Sequence, residues 1–336
     1  MKFTHILILL SAIAHSAEAA FTISGRVINA THDSSAVSSA TVHLQSLTTA
    51  DQMPFEVAET QTNRGGEFSF QISESDEATT FFAAIDFQGV RYFSNGIQQT
   101  ERSIENLSLV VYDSTHSSAQ VEAFMHHIII DDFGETVQLR ETRLLNNPGT
   151  KTITETFVDE HIGQALFKFH LPPGVVNFQP LSTRSNGEIV QHGHYAIDRG
   201  ILLPGTKTIS FGYELPIPQQ HLALTFNAAH RTRTFDIFSS SESIIIESPQ
   251  LTDYGPIDIQ GKTFHRYGLP NVAAGSSISL SVRRVSKAAH EQSSTLAIIL
   301  TAALLTVAVA VSLVRKEHRK PSQTAPDLTA KSRTKK

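Results

Sequence analysis

Sixteen histidines in 336 residues make metal binding and acid–base work the first chemistries to consider. His192 and His194 are two apart, so on a strand both would point to one face and could chelate an ion. Gly193 and Tyr195 beside them favour a loop or a short edge strand instead, and no third ligand follows from local spacing. His126 and His127 are adjacent, so a strand sends them to opposite faces, where they cannot hold one ion together. Asp131 and Asp132, close to Gly134, offer oxygens for calcium. The alternating carboxylates and closing glutamate of a calcium loop are missing, and a β-turn between two strands accounts for the pair. For nucleophilic catalysis there is no cysteine, no G-x-S-x-G and no S-x-x-K with partners, and neither Ser185 nor Ser210 has a local base. Gly65-Gly66 has no G-K-[ST] ending or following helix, so it is read as a hairpin turn rather than a phosphate loop. Phe81, Phe82, Phe87, Tyr92 and Phe93 gather around Gly89. Such rings either stack on sugars from an exposed face or fill the core of a domain without tryptophan. Tyr92 and Phe93 are the candidates for an exposed binding surface. No catalytic set, no dedicated metal site and no cofactor is expected.

The elements that must position these residues are strands. Phe21, Ile23 and Val27 alternate with Thr22, Ser24 and Arg26, then Val42 and Leu44 with Thr41 and His43. Phe68, Phe70 and Ile72 continue the pattern after Asn63-Arg64-Gly65-Gly66, and segments 81–85, 90–93 and 107–112 complete about seven short strands. That number and spacing describe a β-sandwich. Longer strands follow at 119–131 and 135–145, a turn at Asn146-Asn147-Pro148-Gly149, and further strands at 207–213, 235–238, 243–247, 257–259 and 277–282. The fold class expected is all-β: two or three tandem sandwich-like domains, at 20–112, 113–205 and 206–285, with a single larger sandwich over 113–285 left open.

The strings SGRVIN at 24–29, ATVHL at 40–44 and TNRGGEFSF at 62–70 resemble the carboxypeptidase regulatory-like family. The resemblance covers residues 21–112 and implies a transthyretin-like, prealbumin-type sandwich. It also implies an accessory domain without catalysis, of a kind associated with carbohydrate or protein contact. The zinc enzyme that lends the family its name needs an H-x-x-E pair plus a distant histidine. Here the one H-x-x-E runs from His15 to Glu18, near the start of the chain, so no such enzyme domain is expected. The remainder is similar to uncharacterised bacterial exported single-pass membrane proteins, which carry no chemistry over.

At the two ends the sequence predicts membrane targeting. Lys2, an apolar run at 6–14 and Ala17-Glu18-Ala19 have the order of a signal peptide, 1–19. Residues 295–314, TLAIILTAALLTVAVAVSLV, carry no charge, glycine or proline. At 1.5 Å per residue they reach about 30 Å, the thickness of a bilayer's hydrocarbon core. A linker at 286–294 precedes this span. The tail 315–336 holds eight basic and two acidic residues, so the tail is expected inside and the bulk outside. Residues 20–294 carry 18 basic against 29 acidic side chains, a balance unsuited to nucleic acid. The absence of cysteine suits a bacterial periplasm. The function expected is a non-catalytic binding or scaffolding protein, tethered by one span in the inner membrane. Its partners would be envelope proteins, with glycan second. The alternative is a hydrolase of envelope polymers, metal-dependent or not, whose site is assembled from distant residues.

Overall fold

Period-two alternation across short segments, with almost no helical periodicity to supply a covering helix, buries its apolar face by stacking one sheet on another, and the computed structural model does so twice. It describes residues 20–48, 53–73, 79–98, 103–182 and 188–285, and they are all-β apart from short 3₁₀ turns such as Ala30–His32. Among them no helix is long and apolar enough to cross a membrane. The expected signal peptide, the span at 295–314 and the basic tail lie outside the described residues. The chain divides into two compact units. One holds the chain up to Gln120 with Asn147–Val158 and Ile201–Gly205, and the other holds Val121–Asn146, Asp159–Gly200 and the chain from Thr206.

The first unit is a sandwich. One sheet has Ala20–Asn29 at its centre, antiparallel to Glu67–Ser73 and parallel to Ile104–Val111. The other runs Phe55–Gln61, Thr41–Thr48, Thr79–Phe87, Val90–Phe93. Phe21, Ile23, Phe70 and Leu109 from the first sheet meet Val42, Leu44, Phe81 and Ile85 from the second in one buried cluster. Each such side chain contributes about 1.5–3 kcal/mol by leaving water. Two glycines are fixed by close approach. A Cβ on Gly25 would stand 2.2 Å from the Leu107 carbonyl oxygen, so only glycine allows the parallel pairing at that point. Gly66 has φ +78° and closes a tight turn that begins at Asn63, whose Oδ1 accepts from the Gly65 and Glu67 amides at 2.8 and 3.0 Å. The glycine pair is thus a turn rather than a phosphate loop, but it carries the chain from one sheet to the other instead of joining the arms of a hairpin, because Phe55–Gln61 and Glu67–Ser73 belong to different sheets.

In the second unit a seven-stranded sheet has the order Val176–Pro180, Gly205–Pro216, Thr136–Asn147, Glu122–Phe133, Arg231–Ser239, Lys262–Val272, Thr252–Ile259. Two three-stranded sheets accompany it: Phe167–His170, Tyr195–Asp198, Ile189–His192, and His221–Asn227, Ser277–Arg284, Ile244–Glu247. Their inner rings pack on the large sheet, Phe169 on Phe211 at 6.4 Å and Phe226 on Phe235 at 6.0 Å between centroids. This sheet takes strands from both sides of residue 205, so the division into 113–205 and 206–285 does not follow its packing. The physical reason is pairing at long range. Glu122–Phe133 lies parallel to Arg231–Ser239, and a parallel partner must come from a distant part of the chain.

Candidate functional site

In the first unit the strand Phe55–Gln61 ends its sheet, paired to Thr41–Thr48 on one side and to no strand on the other among the described residues. Its register contains a bulge: Leu44 faces Ala58 but Gln45 faces Glu56, which leaves Val57 as the extra residue. The bulge decides which side chains share a face. Glu56 and Glu59 are three apart and would point oppositely on a regular strand. With one residue bulged out, Glu59 opposite His43 and Glu56 opposite Gln45 both lie on the outer face of the sheet. His43 Nδ1 lies 3.1 Å from Glu56 Oε2 but off line, so it has no hydrogen bond. One ligand atom from each of His43, Glu56 and Glu59 lies within 4.8 Å of the other two. Along the same edge stand exposed apolar side chains: Met53 is 77 % exposed, Phe55 50 % and Val57 42 %.

A second constellation lies in the interior of the other unit. Glu141 is fully buried: its carboxylate accepts from His126 Nε2 at 2.9 Å and Tyr213 Oη at 2.6 Å, and it is ion-paired with the Arg143 guanidinium at 2.6 Å. Burial opposes ionisation of Glu141, but the Arg143 charge and the donors from His126 and Tyr213 outweigh it and hold the pKa at about 2. Burial, reinforced by Arg143, lowers His126 to about 4, against the pull of Glu141. The imidazole is therefore neutral, and because a carboxylate can only accept, Nε2 carries the proton. Burial, then the Glu141 charge, pushes the Tyr213 hydroxyl well above its ordinary range. The Arg143 guanidinium stacks over Phe169 at 4.5 Å and Phe211 at 5.3 Å. Acid, base and phenol are thus within reach of one another, but all three are sealed among aromatic rings. Their job is to satisfy one another in the core.

No protein-family model matches the chain, and no curated protein does.

The residues singled out in the sequence fall as follows. His192 ends the strand Ile189–His192 and pairs with Tyr195, so Gly193 and His194 form the two-residue turn between them. The same-face spacing of a strand does not apply to that pair, and the His192 ring packs on His161 at 5.4 Å. His126 and His127 do take opposite faces: His126 meets Glu141, while His127 Nε2 lies 3.3 Å from Asp236 Oδ2. Asp131 is a buried strand residue paired with Arg140, and Asp132 pairs with Arg284 at 2.8 Å. The turn itself is Gly134-Glu135, just beyond them. Ser210 Oγ meets the Thr142 hydroxyl at 3.0 Å, while Ser185 lies outside the described residues. Phe81 and Tyr92 are core, and the Tyr92 hydroxyl is satisfied by the Tyr112 carbonyl and Thr152 Oγ1, each at 2.8 Å. Of the two surface candidates Phe93 alone is exposed, at 54 %, with Arg91 6.0 Å from its ring. Sequence reasoning missed the strand Phe55–Gln61 altogether. Its residues do not alternate between core and solvent, because the bulge breaks the period of two. Glutamates three apart, facing a strand that carries an outward histidine, were the available signal.

Proposed function

We propose that the chain is a non-catalytic binding protein of the cell envelope, tethered to a membrane by residues 295–314, which captures a protein partner along the strand Phe55–Gln61. The observation that carries this reading is the outer edge of that strand, unpaired among the described residues, beside exposed Met53, Phe55 and Val57. Free N–H and C=O groups on such an edge pair readily with another extended chain. The strand carries no lysine, and Pro54 and the Val57 bulge interrupt the edge only at its start and middle, leaving residues 58–61 regular. A partner strand added there would gain main-chain hydrogen bonds, and the apolar side chains would give it a dry contact. The carboxypeptidase regulatory-like resemblance of residues 21–112 supports the same reading, since the first unit is a two-sheet sandwich and the resemblance implies an accessory domain. So does the engagement of the acid–base residues of the second unit with one another in its core. The uncharged run at 295–314, followed by basic residues, supports the tether and its orientation.

The experiment is a photo-cross-linker placed at Val57 in cells. A discrete adduct that disappears when Phe55→Lys is introduced supports strand capture, and its mass identifies the partner. The same adducts with and without Phe55→Lys, or none, would sink the reading. Phe55 is half exposed, so the lysine should leave the thermal midpoint nearly unchanged.

A further inference from the structure

We infer that His43, Glu56 and Glu59 bind a divalent transition-metal ion of the zinc class on the outer face of the first unit. Three donors of the right kind, an imidazole nitrogen and two carboxylates, come from adjacent strands with ligand atoms within 4.8 Å of one another. Around a tetrahedral zinc ion with bonds of about 2.0–2.2 Å, ligand atoms stand about 3.3–3.6 Å apart. The site therefore has to close by about an ångström. Glu56 is 46 % exposed and Glu59 is exposed, so both side chains are free to make that adjustment by rotation.

Three features besides proximity point to a cation. First, His43 Nδ1 is shielded from solvent and has no hydrogen-bond partner, although it lies 3.1 Å from Glu56 Oε2. A buried ring nitrogen without a partner carries a cost that a metal bond would remove. Second, two carboxylates share this face, and among the described residues neither is ion-paired with a lysine or arginine. A divalent ion would neutralise both. Third, the Val57 bulge brings a pair of glutamates three apart to one face, and bulges recur where a side chain must be re-aimed.

The donor set also selects the ion. An imidazole argues against calcium and magnesium, which take oxygen ligands, and favours zinc or its neighbours. Three protein donors on an open face would leave a fourth position for water or for an outside ligand. The other imidazole–carboxylate contacts are poorer sites. At Glu141 the Arg143 charge already occupies the place a cation would take, and among the described residues no three donors converge around His192. The inference is independent of strand capture, because it needs the outer face of the strand rather than its edge.

The test is calorimetric titration of the metal-stripped full-length chain with zinc chloride, alongside thermal melts with and without zinc. One saturable site is expected, weakened at least about tenfold by His43→Ala and by Glu59→Gln and preserved in the double variant His192→Ala/His194→Ala. Zinc should raise the melting midpoint of the parent but not that of His43→Ala. Should His43→Ala fold poorly by circular dichroism, Glu56→Gln, on a solvent-facing side chain, carries the same comparison. Absence of saturable binding would overturn the inference. So would binding unchanged by the His43, Glu56 and Glu59 substitutions, or calcium binding as tight as zinc.

Discussion

At the scale of single residues, the second unit is organised around a carboxylate that water never reaches. Glu141 accepts from His126 and Tyr213 and is ion-paired with Arg143, and each of those three depends on it for a partner. Replacing it by the isosteric Gln leaves the shape of the core but strands the Arg143 guanidinium without an anion. Arg143 is nearly buried, with one Nη already lacking a partner, so there is little water to take over. Breaking one member of a buried ion pair costs about 3–5 kcal/mol, and Glu141→Gln is expected to lower unfolding stability by that order in urea titrations. A loss under 1 kcal/mol would mean that the interior is wetter than its burial implies. His126 was legible in the sequence as one of two histidines on opposite faces. Its partner was not, because Glu141 is brought near only by the hairpin register.

At the scale of elements, close approach of backbone explains what side-chain patterns do not. The strand Ala20–Asn29 can lie parallel to Ile104–Val111 because Gly25 has no Cβ to strike the Leu107 carbonyl. Gly25→Ala is expected to destabilise the first unit by about 2–3 kcal/mol through overpacking. Hydrogen exchange should show the loss in the amides of these two strands first. Most strands of the first unit are legible because they alternate: Phe21, Ile23 and Val27 face inward, as do Val42 and Leu44. The edge strand Phe55–Gln61 is the exception. Its bulge at Val57 gives it two half-patterns out of phase, and only the register against Thr41–Thr48 reveals which residues share a face.

At the scale of the whole molecule, two consequences follow from how the chain is shared between sheets. The strand Arg231–Ser239 depends on Glu122–Phe133 for its parallel partner, and Gly205–Pro216 sits beside Thr136–Asn147. A fragment of residues 206–285 is therefore expected to remain unfolded by circular dichroism, although the sequence pattern marks it as a possible domain. The second consequence is acid sensitivity. Burial lowers His230, as it does His126, to about 4 from an ordinary value of 6.5. The unfolded chain takes up these protons first. Stability is therefore complete above about pH 6.5 and falls as the pH drops toward 4. At 1.36 kcal/mol per pH unit, His126 accounts for up to about 3 kcal/mol, and the partly exposed His230 for less. Below the ordinary glutamate value of 4.5 the depressed Glu141 adds a loss of the same sign, spent by about pH 2. Melts in steps between pH 7.5 and 4 should show the midpoint falling, with a shallower slope in His126→Gln. A flat midpoint over that range would contradict the buried, neutral state of these imidazoles.

The sequence by itself determined the all-β class, the order of most strands and the turn at Gly65-Gly66, because alternation and turn chemistry act between near neighbours. It also located the uncharged run at 295–314, a property of composition alone. Tertiary structure decided which residues meet. It joined Glu141 to His126 and Tyr213, set Gly193 and His194 in a turn, buried Tyr92 while leaving Phe93 outside, and drew the second unit's sheet from both sides of residue 205. Those outcomes depend on register and on pairing between distant strands. A shift of one residue, such as the bulge at Val57, moves side chains to the other face, and the local pattern does not say which residue is the extra one.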